Sequence, residues 1–163
     1  MSIKFPDGDQ DFRSRLVQTQ TASKTSVAST NATAYSDTGL SKSISVSSGN
    51  VVLVLVSGNV KCTNQHATNY HEAEGQLRVM RGSTVLKGQS VGFRNSSGNS
   101  KTFMAFISFG FIDTPSAGDH TYKLQFGGGG GKFRIHVADN THYHGGSGGI
   151  SPSTDITLIE IDP

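Results

Sequence analysis

The stretch Thr102-Phe-Met-Ala-Phe-Ile-Ser-Phe-Gly-Phe-Ile-Asp-Thr-Pro-Ser-Ala-Gly-Asp-His-Thr-Tyr-Lys-Leu-Gln-Phe126 decides the fold. An extended chain sends successive side chains to opposite faces. Phe103, Ala105, Ile107, Phe109 and Phe111 therefore share one face, and Met104, Phe106 and Ile112 share the other. A strand with one face in water needs apolar residues on a single side. A second apolar face calls for another sheet, or another subunit, over it. Asp113-Thr114-Pro115 ends the ladder, because proline has no N–H to give, and Ser116–Asp119 completes a turn. Thr121–Phe126 then alternates cleanly, with Tyr122, Leu124 and Phe126 inward and Lys123 and Gln125 outward.

Outward from this pair the same period of two recurs. Val17–Val27 is rich in Thr and Ser and reads as an edge strand. Asp37-Thr38-Gly39 is a turn signal. Leu40, Ile44 and Val46 alternate with polar residues, and Ser48-Gly49-Asn50 turns the chain into Val51–Val60, a β-branched run expected to be a central strand. Gly75–Arg81 and Thr84–Lys87 flank Gly82-Ser83, a two-residue hairpin turn with Gly first. Lys132–Val137 alternates again, with Phe133, Ile135 and Val137 inward. In Ile156–Ile161, Ile156 and Leu158 face one way, Ile159 and Ile161 the other. Three polar stretches, Lys61–Ala73, Gly88–Lys101 and Ala138–Ser153, read as long connections. No stretch keeps apolar residues at helical spacing, so less than about a tenth of helix is expected against a base rate near a third. Eight or nine strands at this spacing give an all-β, antiparallel, two-sheet sandwich of the jelly-roll kind. Residues 1–29 form an arm and edge strand, and residues 30–163 the jelly-roll domain.

Composition agrees. The chain has 163 residues, 20 of them Gly, and 16% are charged, below the usual quarter. That is one domain with a core and many turns. The formal net charge is +2, and Lys and Arg are scattered singly, so no nucleic-acid stripe exists. The single Cys62 excludes an internal disulfide framework and reads as a small buried strand residue. Met1–Leu16 lacks the apolar core of a signal peptide. Val51–Val56, the longest apolar run, is too short to span a bilayer. The expectation is a soluble product, not exported by a classical signal and not inserted in a membrane.

The chemistry-bearing motifs are weak. Gly127–Gly131 before Lys132 fails as a phosphate loop: Phe126 stands where the first Gly belongs, and Phe133 where the magnesium-binding hydroxyl belongs. It reads as a flexible hairpin tip. His142 and His144 flank Tyr143 at a spacing that puts two imidazoles on one strand face, and His66 and His71 lie in another loop. No Asp or Cys stands at matching spacing, so solvated or hydrogen-bonded loop histidines are expected and no metal. There is no G-x-S-x-G elbow and no Cys–His pair with context. Asp113 and Asp119 are explained as turn residues. No catalytic set and no cofactor are expected.

Four stretches carry a resemblance: Tyr35–Ile44 leading into Val51–Gly58, Gly75–Val79, Phe111–Phe126 and Ser153–Ile161. Their order resembles the C-terminal domains of tail-fibre and related virion proteins of tailed phages, which resemble trimeric jelly rolls of the tumour-necrosis-factor/C1q shape. The likeness runs from about Thr30 to Ile161. It implies a homotrimeric structural virion protein, assembled in the host cytoplasm and carried on the particle surface. With only about thirty residues ahead of the domain, a capsid decoration (cement) protein bound to the major capsid protein is expected rather than a long fibre. A fibre or baseplate tip for a host receptor or glycan is the alternative, with Tyr70, His71, His142, Tyr143 and His144 as its loop residues. Phe106, Ile159 and Ile161 are the expected trimer contacts, and Phe5 and Phe12 the expected anchors of the arm on a neighbouring virion protein.

Overall fold

The computed structural model describes residues 15–64, 72–94, 102–128, 133–139 and 152–163. Every regular element among them is a strand: β1 (Leu16–Lys24), β2 (Ala28–Thr30), β3 (Ser36–Val46), β4 (Val51–Asn64), β5 (Glu72–Arg81), β6 (Thr84–Arg94), β7 (Thr102–Asp113), β8 (Gly118–Gly127), β9 (Phe133–Val137) and β10 (Thr154–Ile161). They form two antiparallel sheets. The six-stranded sheet runs β1-β10-β4-β9-β2, with β7 also on β4; the four-stranded sheet runs β3-β8-β5-β6. The all-β, two-sheet reading is therefore correct.

The eight long strands pair from the outside in: β1 with β10, β3 with β8, β4 with β7, and β5 with β6. The chain is a long hairpin folded back on itself and rolled, so consecutive strands β3 and β4, and β7 and β8, lie in opposite sheets.

β4 organises the six-stranded sheet. Its 14 residues alternate without interruption between a buried and a less buried side. Val52, Val54, Val56, Val60 and Cys62 point into the core and meet Leu40, Ile44, Leu77, Val79, Tyr122, Leu124, Ile135, Ile156 and Leu158 from the other strands. Each such side chain contributes about 1.5–3 kcal/mol on burial. One edge of β4 pairs along its length with β7, whereas the other is shared. Val51–Gly58 pair with β10, and Val60–Asn64 pair with β9. The partner changes at Gly58, where φ is 146° and an added Cβ would stand 2.5 Å from the Ser153 carbonyl oxygen. Only glycine fits there.

Several local expectations change. The Lys61–Ala73 connection is shorter, because β4 continues to Asn64 and β5 begins at Glu72. Lys61 and Thr63 are polar because they face outward, while Cys62 and Asn64 face in. Likewise β6 runs on to Arg94. Asp37-Thr38-Gly39 is a bulge inside β3, not a turn between strands: the register with β8 slips between Asp37 and Ser41, and Gly39 has φ 81°. Bulges and turns use the same residue types. β8 and β9 belong to different sheets and so do not pair as a hairpin; Gly129–Gly131 between them lie outside the described residues. The two-residue turn at Gly82-Ser83 is as expected, with Arg81 paired to Thr84 and Gly82 at φ 56°.

Candidate interaction surface

The outward faces of the two sheets differ in kind. On the four-stranded sheet, one cross-strand row runs Asp37–Gln125–Arg78. Gln125 Nε2 donates to Asp37 Oδ1 at 2.6 Å, and Arg78 Nε donates to Gln125 Oε1 at 2.8 Å. Lys123 pairs with Asp37 at 3.1 Å. The Arg78 guanidinium lies 3.9 Å over the Tyr35 ring, whose hydroxyl donates to Gln76. The Gln125 amide and then the Lys123 ammonium hold the Asp37 carboxyl below its ordinary range. Gln125, expected to be exposed, is covered by these neighbours. This row is polar and satisfied within itself; beyond it on the same face the exposed Val85 stands beside Met80.

The outward face of the six-stranded sheet is apolar over one half. Register places Ile161 beside Val51, then Ile159 beside Leu53 beside Ile112, then Thr157 beside Leu55 beside Gly110. Leu16 continues the first row on β1. Ile112 is 63% exposed and Leu55 39%. A Cβ on Gly110 would stand 2.7 Å from Leu55 Cδ2, so the leucine lies flat across the glycine. The second apolar face of β7 and that of the last strand are thus one continuous strip, open in the single chain.

Of the expected trimer residues, Ile159 and Ile161 sit in this strip. Phe106 is on the same face and 69% exposed, but it lies further along β7, beyond the Ser57–Ser108 pair. Val51, Leu53 and Leu55 went unrecognised as surface residues. The signal was present: an unbroken apolar run in a β protein is apolar on both faces. Phe5, Phe12, Tyr70, His71, His142, Tyr143 and His144 lie outside the described residues.

Beyond the strip, Phe106 stands directly opposite Asn59, and Lys61 lies between Met104 and His136. The Asn59 backbone ties both ends of the connection between β9 and β10: its carbonyl accepts from Ala138 N–H at 3.1 Å, and its N–H donates to Ser153 at 3.1 Å. Thr154 Oγ1 accepts from Ala138 N–H and donates to the Asn59 carbonyl. Asp139, nearly buried, pairs with Lys61 at 2.8 Å and lies 3.3 Å from His136 Nδ1. Burial, reinforced by the Lys61 charge, lowers the His136 pKa against the pull of Asp139. Among the described residues no three His, Cys, Asp or Glu side chains group to hold a metal ion.

Two carboxylates lie in one inward row of the same sheet, either side of Val52. Glu160 Oε1 accepts from Ser47 N–H at 2.7 Å and Asn50 Nδ2 at 2.8 Å, and its Oε2 from Gln18 Nε2 at 2.7 Å. Asp113 accepts from Arg81 and from the Tyr122 hydroxyl, both at 2.6 Å. Burial and then the Asp113 carboxylate push the Tyr122 phenol up. Asp113 is thus a staple between sheets as well as a turn residue. Each carboxylate is committed to its own donors.

No family model matches the chain, and no curated protein matches it. Among solved structures, the dimeric latent PorU of Porphyromonas gingivalis is similar at a TM-score of 0.38 and 6% identity, over 99% of this chain and 14% of that one. The chain thus spans a small part of PorU, and a likeness of that size carries no functional argument.

Proposed function

We propose that this chain is a structural protein of a tailed-phage particle, a homotrimeric jelly roll that decorates the outer capsid surface. The observation that carries the assembly is the contrast between the two outward faces, one crossed by a hydrogen-bonded polar row with Val85 its one exposed large apolar residue among those described, the other holding the contiguous strip Val51, Leu53, Leu55, Ile112, Ile159 and Ile161. A contiguous apolar patch usually marks an interface, and closed cyclic assembly removes it from water. Pairing from the outside in is the strand order of a jelly roll, which supports the fold that the sequence resemblance implies. The resemblance selects threefold symmetry and the particle. In the assembly the strip faces the neighbouring copies and the polar sheet faces solvent.

Sedimentation tests the assembly. The protein should run at three times the 17.2 kDa chain mass. Ile112→Asp should yield monomer or aggregate with an unchanged far-ultraviolet spectrum, because an unpaired charge buried at a contact is costly. A wild-type monomer at micromolar concentration defeats the trimer. The particle assignment is tested by mass spectrometry and antibody labelling of intact particles: label on the head supports decoration, label on the tail excludes it.

A further inference from the structure

We propose that Phe106 and Asn59 form a binding site for a neutral saccharide on the outward face of the six-stranded sheet, separate from the apolar strip. Between Ile112 and Phe106 on that face of β7 stand Gly110 and Ser108, and opposite Ser108 is Ser57, followed on β10 by Asp155. A polar row therefore divides the exposed phenylalanine from the strip, and burying the strip does not account for it.

The surroundings of the ring have the make-up of a sugar site. Phe106 is more exposed than any other large apolar residue among the described ones, at 69%. It sits on β7, which among the described residues pairs with β4 alone, so no described strand lies on the side of the ring away from Asn59. Directly opposed residues on neighbouring strands have Cβ atoms about 4.5–5.5 Å apart, which brings the Asn59 side chain, an amide, within reach of the ring. Among the described residues that amide has no hydrogen-bond partner, while the Asn59 backbone is fixed by Ala138, Ser153 and Thr154. The backbone is thus held in place, and the side-chain donor and acceptor are unused among the described residues. Ser57 and Ser108 add hydroxyls on one side, and the Lys61–Asp139 pair a committed polar wall on the other.

A pyranose offers what this arrangement lacks: a flat C–H face for the ring and equatorial hydroxyls for the amide and serines. Of the charges nearby, Lys61 and Asp139 cancel and Asp155 leaves a small negative balance, which disfavours nucleic acid and phosphate. An aromatic anchor with a few converging polar groups is the usual design of a small-molecule site. On an open sheet face the affinity for one sugar unit is about millimolar, and repetition on a multimer strengthens it.

The test uses saturation-transfer NMR on the full chain with glucose, galactose, mannose and N-acetylglucosamine, each up to about 10 mM, followed by a bacterial glycan array. At least one sugar should bind, with transfer to its ring C–H protons. Phe106→Ala and Asn59→Ala should each weaken binding about tenfold or more, and both should sediment as wild type. Ile112→Asp should bind the monosaccharide normally even if it no longer assembles, which separates this site from the subunit contact. Absence of binding by wild type, or unchanged binding by Phe106→Ala, overturns the proposal. So does a fall in sedimenting mass for Phe106→Ala, which would make the ring a subunit contact.

Discussion

Glu160 is an acid in the middle of an alternating buried row, on the same side of β10 as Ile156 and Leu158. Water does not reach its side chain, although it sits under a thin cover at the rim. Burial alone would raise its pKa, but the donors from Ser47, Gln18 and Asn50 outweigh burial and set it below 4.5. A carboxyl lowered on folding adds stability that is complete above its unfolded pKa and disappears as pH falls through the folded value. The melting temperature should therefore drop as pH falls below 4.5, and Glu160→Gln should flatten that drop while lowering stability at pH 7. Glu160→Ala orphans three donors and should cost about 1–3 kcal/mol or more in urea denaturation. At Gly58 an added methyl meets the Ser153 carbonyl at a φ that L residues avoid. Gly58→Ala should cost roughly 1–3 kcal/mol, seen as a lower urea midpoint. Cys62 is sealed in the core, and burial pushes its thiol up to about 12. It should resist a thiol reagent at pH 8 in the native protein and react at once in urea.

At the scale of elements, β4 is paired along both edges and should be the slowest strand in amide hydrogen exchange, whereas β1, an edge strand, should exchange early. The reverse ranking would contradict this pairing. The strands visible in the sequence are those whose inward positions are Val, Ile, Leu or Phe, namely β3, most of β4, β5, β7, β8, β9 and β10, together with β1, which its Thr and Ser mark as an edge strand. What stayed hidden has physical reasons. β2 has three residues, Ala28–Thr30, and no alternation to read. The far ends of β4 and β6 carry polar residues outward and too few apolar ones inward to stand out from a loop. The Gly39 bulge uses the vocabulary of a turn. Of the candidate surface, Phe106, Ile159 and Ile161 were legible because a two-faced strand is conspicuous. The Asn59 amide was not, because its meaning depends on which residue lies opposite, and pairing of distant strands is not written in local periodicity.

For the whole molecule, the arm is the remaining test. Phe5 and Phe12 precede β1, which begins beside the Ile161 end of the apolar strip. If the proposed capsid attachment holds, deleting residues 1–15 should leave the melting temperature within a few degrees of wild type and abolish loading onto particles. Normal loading of the shortened protein would remove these phenylalanines from the attachment.

Pairing from the outside in also sets the order in which the molecule can form. β5 and β6 are neighbours in sequence and can close early, but β1 has no long partner until β10 has been made. During synthesis, at about 5–20 residues per second, β1 and one edge of β4 therefore wait while most of the chain emerges from the ribosome. Contacts between such distant segments place refolding in the range of about milliseconds to seconds. Throughout that interval the apolar strip lacks its β10 portion, so the assembly proposed above would have to wait until each copy has received its final strand.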